Sequence, residues 1–147
     1  MYFVDRKKLE QRLTYIEGLL TYLASQEQLP EDVGARLALE RAAHMSIEAI
    51  LDVGNQMIDG FIMRDPGSYE DIIDILTDEQ VVDQQVGLGL VKWIQLRKSL
   101  VTEYEQVQAE VIWSHYQEVR SAMESFPTCV RLYLNEQLGP VSAFLPE

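Results

Sequence analysis

Cysteine occurs once in this chain, at Cys129, and histidine only twice, at His44 and His115. A lone thiol forms no intramolecular disulfide and builds no cysteine cage for a metal. Two histidines leave little imidazole for acid–base work, so each is weighed by itself. Basic residues are scarce as well: 12 Lys and Arg stand against 24 Asp and Glu, a net charge of −12. A field of that sign repels phosphate backbones and disfavours DNA or RNA binding by the surface at large. Local positive potential remains conceivable where Arg6, Lys7, Lys8 and Arg12 gather, and again at Lys92, Arg97 and Lys98. No run reaches the roughly eighteen apolar residues that a membrane span requires. "MYFVDRKKLEQRL" has neither the apolar core nor the cleavage site of a secretory signal. The expectation is a cytoplasmic protein.

What is present is apolar residue in helical rhythm. Apolar residues make up 47% of 147 positions, enough for a core and suited to one domain over residues 1–147. Leu9, Leu13, Ile16, Leu20 and Leu23 draw one stripe, predicting a helix from about Val4 to Gln26 that ends before Pro30. A second long helix opens at Pro30-Glu31-Asp32 and runs to the "RDPG" turn. Ser68 reads as the cap of a short third helix, with Asp71 three residues on. Thr77 with Gln80 repeats that signature and predicts another helix start, with a kink at Gly87 and Gly89. A fourth helix then carries Leu90, Val91, Ile94, Val101 and Tyr104, and the pattern continues past a break near Gln106. Pro127 is expected to end that run, leaving "TCVRLYLNEQLG" as a last short helix closed by Gly139 and an apolar tail "PVSAFLPE" docked on the body. No alternation of period two is long enough for a sheet. The predicted fold is all-α, an antiparallel four-helix bundle with one or two additional short helices.

Few residues offer chemistry. His44 lies four residues from both Glu40 and Glu48, so the three share a helix face, either as metal ligands or as a solvated polar stripe. Neither histidine has a glutamate three residues before it, as di-iron bundles require, and no metal or cofactor is expected. His115 sits among Trp113 and Tyr116 and reads as a packed histidine, and Cys129 as a structural thiol. "VGLGLVK" lacks the third glycine and the strand of a dinucleotide loop. The stretch "LRKSLVTEY" remains. On a continuous helix Arg97 and Tyr104, seven residues apart, project within roughly 20° of each other, with Val101 beside them.

"LVKWIQLRKSLVTEY" resembles the signature helix of HepT-like proteins in the HEPN superfamily, whose motif is Arg-x-x-x-x-His-x-Tyr. "ALERAAHMSIEAILDVGNQMI" is similar to that family's second helix, and "PGSYEDIIDIL" to its proline-serine-tyrosine turn and following helix. The resemblance covers most of residues 37–135. It implies a small helical bundle that forms a homodimer and assembles a metal-independent ribonuclease site from Arg and His across the dimer cleft. It also implies a nucleotidyltransferase antitoxin that adds AMP groups to the motif tyrosine. By position, Arg97 takes the arginine role, Tyr104 the modifiable tyrosine, and Thr102 the histidine slot.

Threonine in that slot changes the chemistry. Attack by an RNA 2′-hydroxyl needs a group that exchanges a proton near neutral pH, as histidine does with an unperturbed pKa of about 6.5. A threonine hydroxyl only donates and accepts hydrogen bonds. Cleavage is therefore expected to be weak or lost, with Arg97 still able to hold a phosphate. His115 would lie about 20 Å away along a continuous helix, and His44 is on another helix. A non-catalytic homodimer that serves an antitoxin as binding partner is the alternative. Trp93, Ile94, Leu96, Leu100, Ile112 and Trp113 give an independent reason for pairing, because they spread over more than one helix face and need cover on both sides. A second copy, or the chain's own C-terminal helix and tail, would supply it.

Overall fold

Four helices open on a side-chain oxygen that accepts the amide three residues on, satisfying a donor the helix itself leaves free. Asp5 does so for Lys8 at 3.0 Å, Asp32 for Ala35 at 2.8 Å, Ser68 for Asp71 at 3.0 Å and Asp83 for Val86 at 2.8 Å. In the computed structural model, which describes residues 2–139, these caps begin α1 (Arg6–Ser25), α2 (Val33–Gly60), α3 (Tyr69–Asp78) and α4 (Gln84–Ile94). α5 (Arg97–Thr102), a 3-10 turn (Tyr104–Gln106) and α6 (Ala109–Leu138) complete the chain as described. The expected docking of residues 140–147 lies outside the described residues.

The architecture is an all-α bundle in which α1, α2 and α6 are the long members, α3 and α4 are shorter and α5 is a single short turn of helix. α1 packs on α2 and α6, α4 packs on α6, and α3 bridges α2 to α4. The predicted stripe Leu9, Leu13, Ile16, Leu20 and Leu23 is buried throughout. It meets Ile47, Ile50, Met57 and Ile58 of α2 in one core that continues to Phe126, Val130 and Leu134 of α6. Trp93, fully buried, donates from its indole N–H to Ser46 Oγ at 2.9 Å, and the Ser46 hydroxyl in turn donates to Ala43 O at 2.8 Å. That satisfied pair ties α4 to α2 four residues before Arg97. Trp93, Ile94, Leu96 and Ile112 are all buried within the chain, so of the two covers the sequence left open, a second copy or the chain's own helices, the chain itself supplies most of what these four residues need.

Four local expectations need correction. Thr77 does not start a helix: it lies inside α3 and donates its hydroxyl to Ile73 O at 3.0 Å, while Asp83 caps α4. Gly87 and Gly89 produce neither kink nor restart, because both are interior to α4. Their lack of a side chain serves close approach instead. A Cβ on Gly87 would stand 2.4 Å from Thr77 Oγ1, and one on Gly89 2.5 Å from the Ala122 Cβ of α6. The fourth helix does not continue to Tyr104. After Ile94 the Leu96 amide bonds Trp93 O, three residues back, which tightens the chain before α5 starts. Finally, α6 runs through Pro127 to Leu138, where Gly139 at φ 82° closes it as expected. Proline removes one backbone bond and crowds the preceding turn. Here the ring is buried between fully buried Phe126 and Val130, and core packing on both sides of it outweighs that cost.

The two kinds of helical glycine predict opposite signs. Gly18 has open space where a Cβ would go. Gly18→Ala is expected to stabilise by about 0.5–1 kcal/mol through helix propensity. Gly89→Ala forces α4 and α6 apart and is expected to destabilise by about 1–3 kcal/mol. Urea unfolding of the two variants checks both; a stabilising Gly89→Ala would refute the close α4–α6 contact.

Candidate functional site

Arg97 is the first residue of α5, and three elements meet at its side chain. Its Nε–H donates to Glu48 Oε1 of α2 at 2.6 Å, and its guanidinium lies 4.4 Å over the Tyr69 ring of α3. A cation over a phenol face is held by the ring's quadrupole. The hydrogen bond to Glu48 raises Arg97 further above its already high pKa, against the opposing effect of burial. With side chains 25% and 29% exposed, Arg97 and Glu48 remain open to a ligand. Among the described residues the two terminal amino groups of Arg97 hold no hydrogen bond, so the forked end that grips phosphate bidentately is free.

Glu48 has a second neighbour. His44, one turn earlier on α2, brings Nε2 to 3.6 Å from the same Oε1. Among the described residues no three His, Cys, Asp or Glu side chains group as metal ligands, and the oxygen proposed for a metal instead binds Arg97.

Tyr69 is positioned by the "RDPGSYED" turn. Arg64 grips Asp71 with both terminal nitrogens, at 2.8 and 2.9 Å, while the Gly67 amide reaches Asp71 Oδ2 at 2.8 Å. Asp71 thus serves as the expected capping partner, but bonds the amide of Gly67 where a full capping box would bond that of Ser68. With Ser68 capping α3, the turn has one geometry, and it sets the ring of the next residue over the guanidinium.

The other sequence candidates sit apart from this contact. Thr102 is exposed and donates its hydroxyl to Lys98 O at 2.6 Å. Tyr104 lies on the 3-10 turn, 69% exposed. The turn breaks the helix between it and Arg97, so the seven-residue projection does not apply. His115, on α6, donates from Nδ1 to Val111 O at 2.9 Å. Cys129 is half-buried, and desolvation pushes its thiol up. A cleft of about 110 Å³ lies beside α5, edged by Leu96, Leu100, Val107 and Ile112. Sequence reasoning missed that Glu48 and Tyr69 both serve Arg97. The available signal was a glutamate on a core-facing helix and an aromatic directly after a cap, neither of which names its partner.

The family described as Ribonuclease HepT-like matches residues 10–130. The candidate RNase YutE of Bacillus subtilis (strain 168) is 49% identical over 144 residues, covering 98% of this chain and 99% of YutE. The solved structure of YutE, described as a cytosolic protein, superposes with a TM-score of 0.92 over 98% of this chain and 100% of that one. A tri-AMPylated HEPN toxin of Shewanella oneidensis, solved in complex with an MNT antitoxin, matches with a TM-score of 0.73 at 16% identity, over 84% of this chain and 96% of the toxin. At that identity the likeness is one of fold.

The turn under Tyr69 has a titratable signature. The Arg64 guanidinium, aided by the Gly67 amide, holds the Asp71 carboxyl down at about 2, against an ordinary 3.8. A depressed folded-state pKa contributes stability above the unfolded value and loses it as pH falls through about 2. Carbon-detected NMR of the Asp71 carboxyl is expected to show that low midpoint, moving back towards 3.8 in Arg64→Ala. An ordinary midpoint in the unaltered protein would mean the turn is not clamped.

Proposed function

Because the chain belongs to the HepT-like ribonuclease family, we propose that it is a metal-independent ribonuclease of the HEPN superfamily whose cleavage is weak because Thr102 occupies the histidine slot of the motif. The reading takes residues 1–147 as one HepT-like domain that works in the cytoplasm as a homodimer. One observation carries it. Arg97 is oriented by Glu48 and Tyr69 with its forked end free, whereas the nearest motif position offers only a hydroxyl bonded to its own helix.

The two halves of that observation act differently on rate. A guanidinium held at Nε and across its face loses little freedom when its terminal nitrogens meet a phosphate. It also stabilises charge developing on the phosphoryl oxygens during displacement. Neither effect moves the 2′-hydroxyl proton, and general acid–base transfer is worth roughly 10²–10⁴-fold. Binding survives in this design, and turnover suffers. The net charge of −12 further slows encounter with RNA at low salt.

A second reading, the protein as target and partner of a nucleotidyltransferase antitoxin, is favoured by the exposure of Tyr104. A phenol 69% exposed on a short turn is accessible to an AMP-transferring enzyme. The Shewanella oneidensis toxin of the same fold is AMPylated and bound to an MNT antitoxin.

Both readings are testable on one preparation. With a labelled RNA oligonucleotide in EDTA buffer, slow cleavage is expected from the unaltered protein and none from Arg97→Ala. Thr102→His is expected to cleave roughly 10²–10⁴-fold faster. Fast cleavage by the unaltered protein that Thr102→His does not improve would contradict the role given to residue 102. After co-expression with a nucleotidyltransferase of the MNT class, the peptide carrying Tyr104 is expected to gain 329 Da per AMP group, roughly as transfer of a nucleoside monophosphate requires. An unmodified peptide with no co-purifying enzyme would remove the second reading.

A further inference from the structure

Resting on the ribonuclease reading, we propose that His44 is the catalytic residue that carries the proton in the cleavage this chain retains, standing in from α2 for the imidazole missing at position 102. Arg97 Nε and His44 Nε2 converge on a single atom, Glu48 Oε1, at 2.6 and 3.6 Å. The side chains of all three residues are partly open, with His44 31% exposed, Glu48 29% and Arg97 25%. An RNA phosphate on the free fork of Arg97 therefore lies within the neighbourhood of an imidazole that solvent and substrate can reach. The alternatives are engaged elsewhere: the Thr102 hydroxyl with Lys98 O and the His115 Nδ1 with Val111 O.

The carboxylate also decides which nitrogen works. Glu48 accepts only from a protonated nitrogen, so its place beside Nε2 favours the tautomer with hydrogen there. Nδ1 is left with the lone pair and acts as the base. At 3.6 Å the Glu48 contact is longer than a hydrogen bond in the free protein, and catalytic contacts of this kind often tighten only when substrate binds. His44 Nδ1 takes the proton of the 2′-hydroxyl as the 2′ oxygen bonds to the adjacent phosphorus. The bond from phosphorus to the 5′ oxygen breaks, and that oxygen receives the proton from the imidazolium. The products are a 2′,3′-cyclic phosphate and a 5′-hydroxyl, with no net change in protons and no metal or redox partner needed. Glu48, beside Nε2, orients the ring through both transfers.

The test compares the unaltered protein, His44→Ala, Arg97→Ala, Thr102→His and the Thr102→His/His44→Ala pair on one RNA oligonucleotide in EDTA. Affinity for the all-2′-deoxy analogue is followed by fluorescence anisotropy. His44→Ala is expected to lose at least roughly 10²-fold in cleavage rate while binding the analogue as before. Added imidazole is expected to restore part of the rate, and the double variant to cleave faster than His44→Ala alone. Unchanged cleavage by His44→Ala, with Arg97→Ala inactive, overturns the role of His44 and leaves the ribonuclease reading standing. So does an unaltered protein that never cleaves beside an active Thr102→His. A loss in His44→Ala that imidazole does not rescue, with a lowered melting temperature, would make the residue structural and equally overturn the inference. Cleavage by none of the proteins would bring down both readings.

Discussion

The contact between Arg97 and Glu48 is the constraint on which the site depends. α5 has six residues, no fully buried side chain and no side-chain cap, so it cannot hold its place through local helix formation. Its position comes from partial packing of Leu100, from the chain connection behind buried Leu96, and from the hydrogen bond that Arg97 makes to α2. The cation over Tyr69 adds a third support from α3. Everything downstream, including Thr102 and the turn that displays Tyr104, follows from where that short helix is pinned. The pinning of α2 itself rests on the core, through Ile47, Ile50 and the Trp93–Ser46 bond.

This arrangement keeps a guanidinium fixed and partly open on an acidic protein. A net charge of −12 opposes nucleic acid everywhere except where a positive charge is fixed and partly exposed. Glu48 accepts from one Arg97 nitrogen, and the other two hold no hydrogen bond among the described residues. The same carboxylate attracts His44, so one glutamate organises both a cation and an imidazole. The Thr102 hydroxyl, by contrast, is satisfied by its own helix backbone.

The sequence was informative wherever structure is decided locally. The leucine stripe of α1, the Ser68 cap and the Gly139 terminator each follow from residues within one or two turns, and each is present. It misled where packing competes with local preference. Pro127 reads as a stop, yet its neighbours' burial holds α6 straight through it. Gly87 and Gly89 read as breakers, yet they are spacers that admit Thr77 and Ala122. The site divided in the same way. Arg97, Thr102 and Tyr104 share one local stretch of sequence, whereas Glu48 is 49 positions from Arg97 and joins it only through the packing of α2 on α5. Helical spacing alone aligns Glu48 with Glu40 and His44 as a stripe and does not reveal what stands opposite.

The central claim is that Arg97 and Glu48 act as a coupled pair that fixes α5 on α2. A double-mutant cycle reads this most directly, with Arg97→Ala, Glu48→Ala and the double variant compared by urea unfolding. For a pair with side chains about three-quarters buried, a coupling of about 1 kcal/mol or more is expected. Costs that simply add, to within about 0.3 kcal/mol, would contradict the account and leave α5 held by something other than this contact.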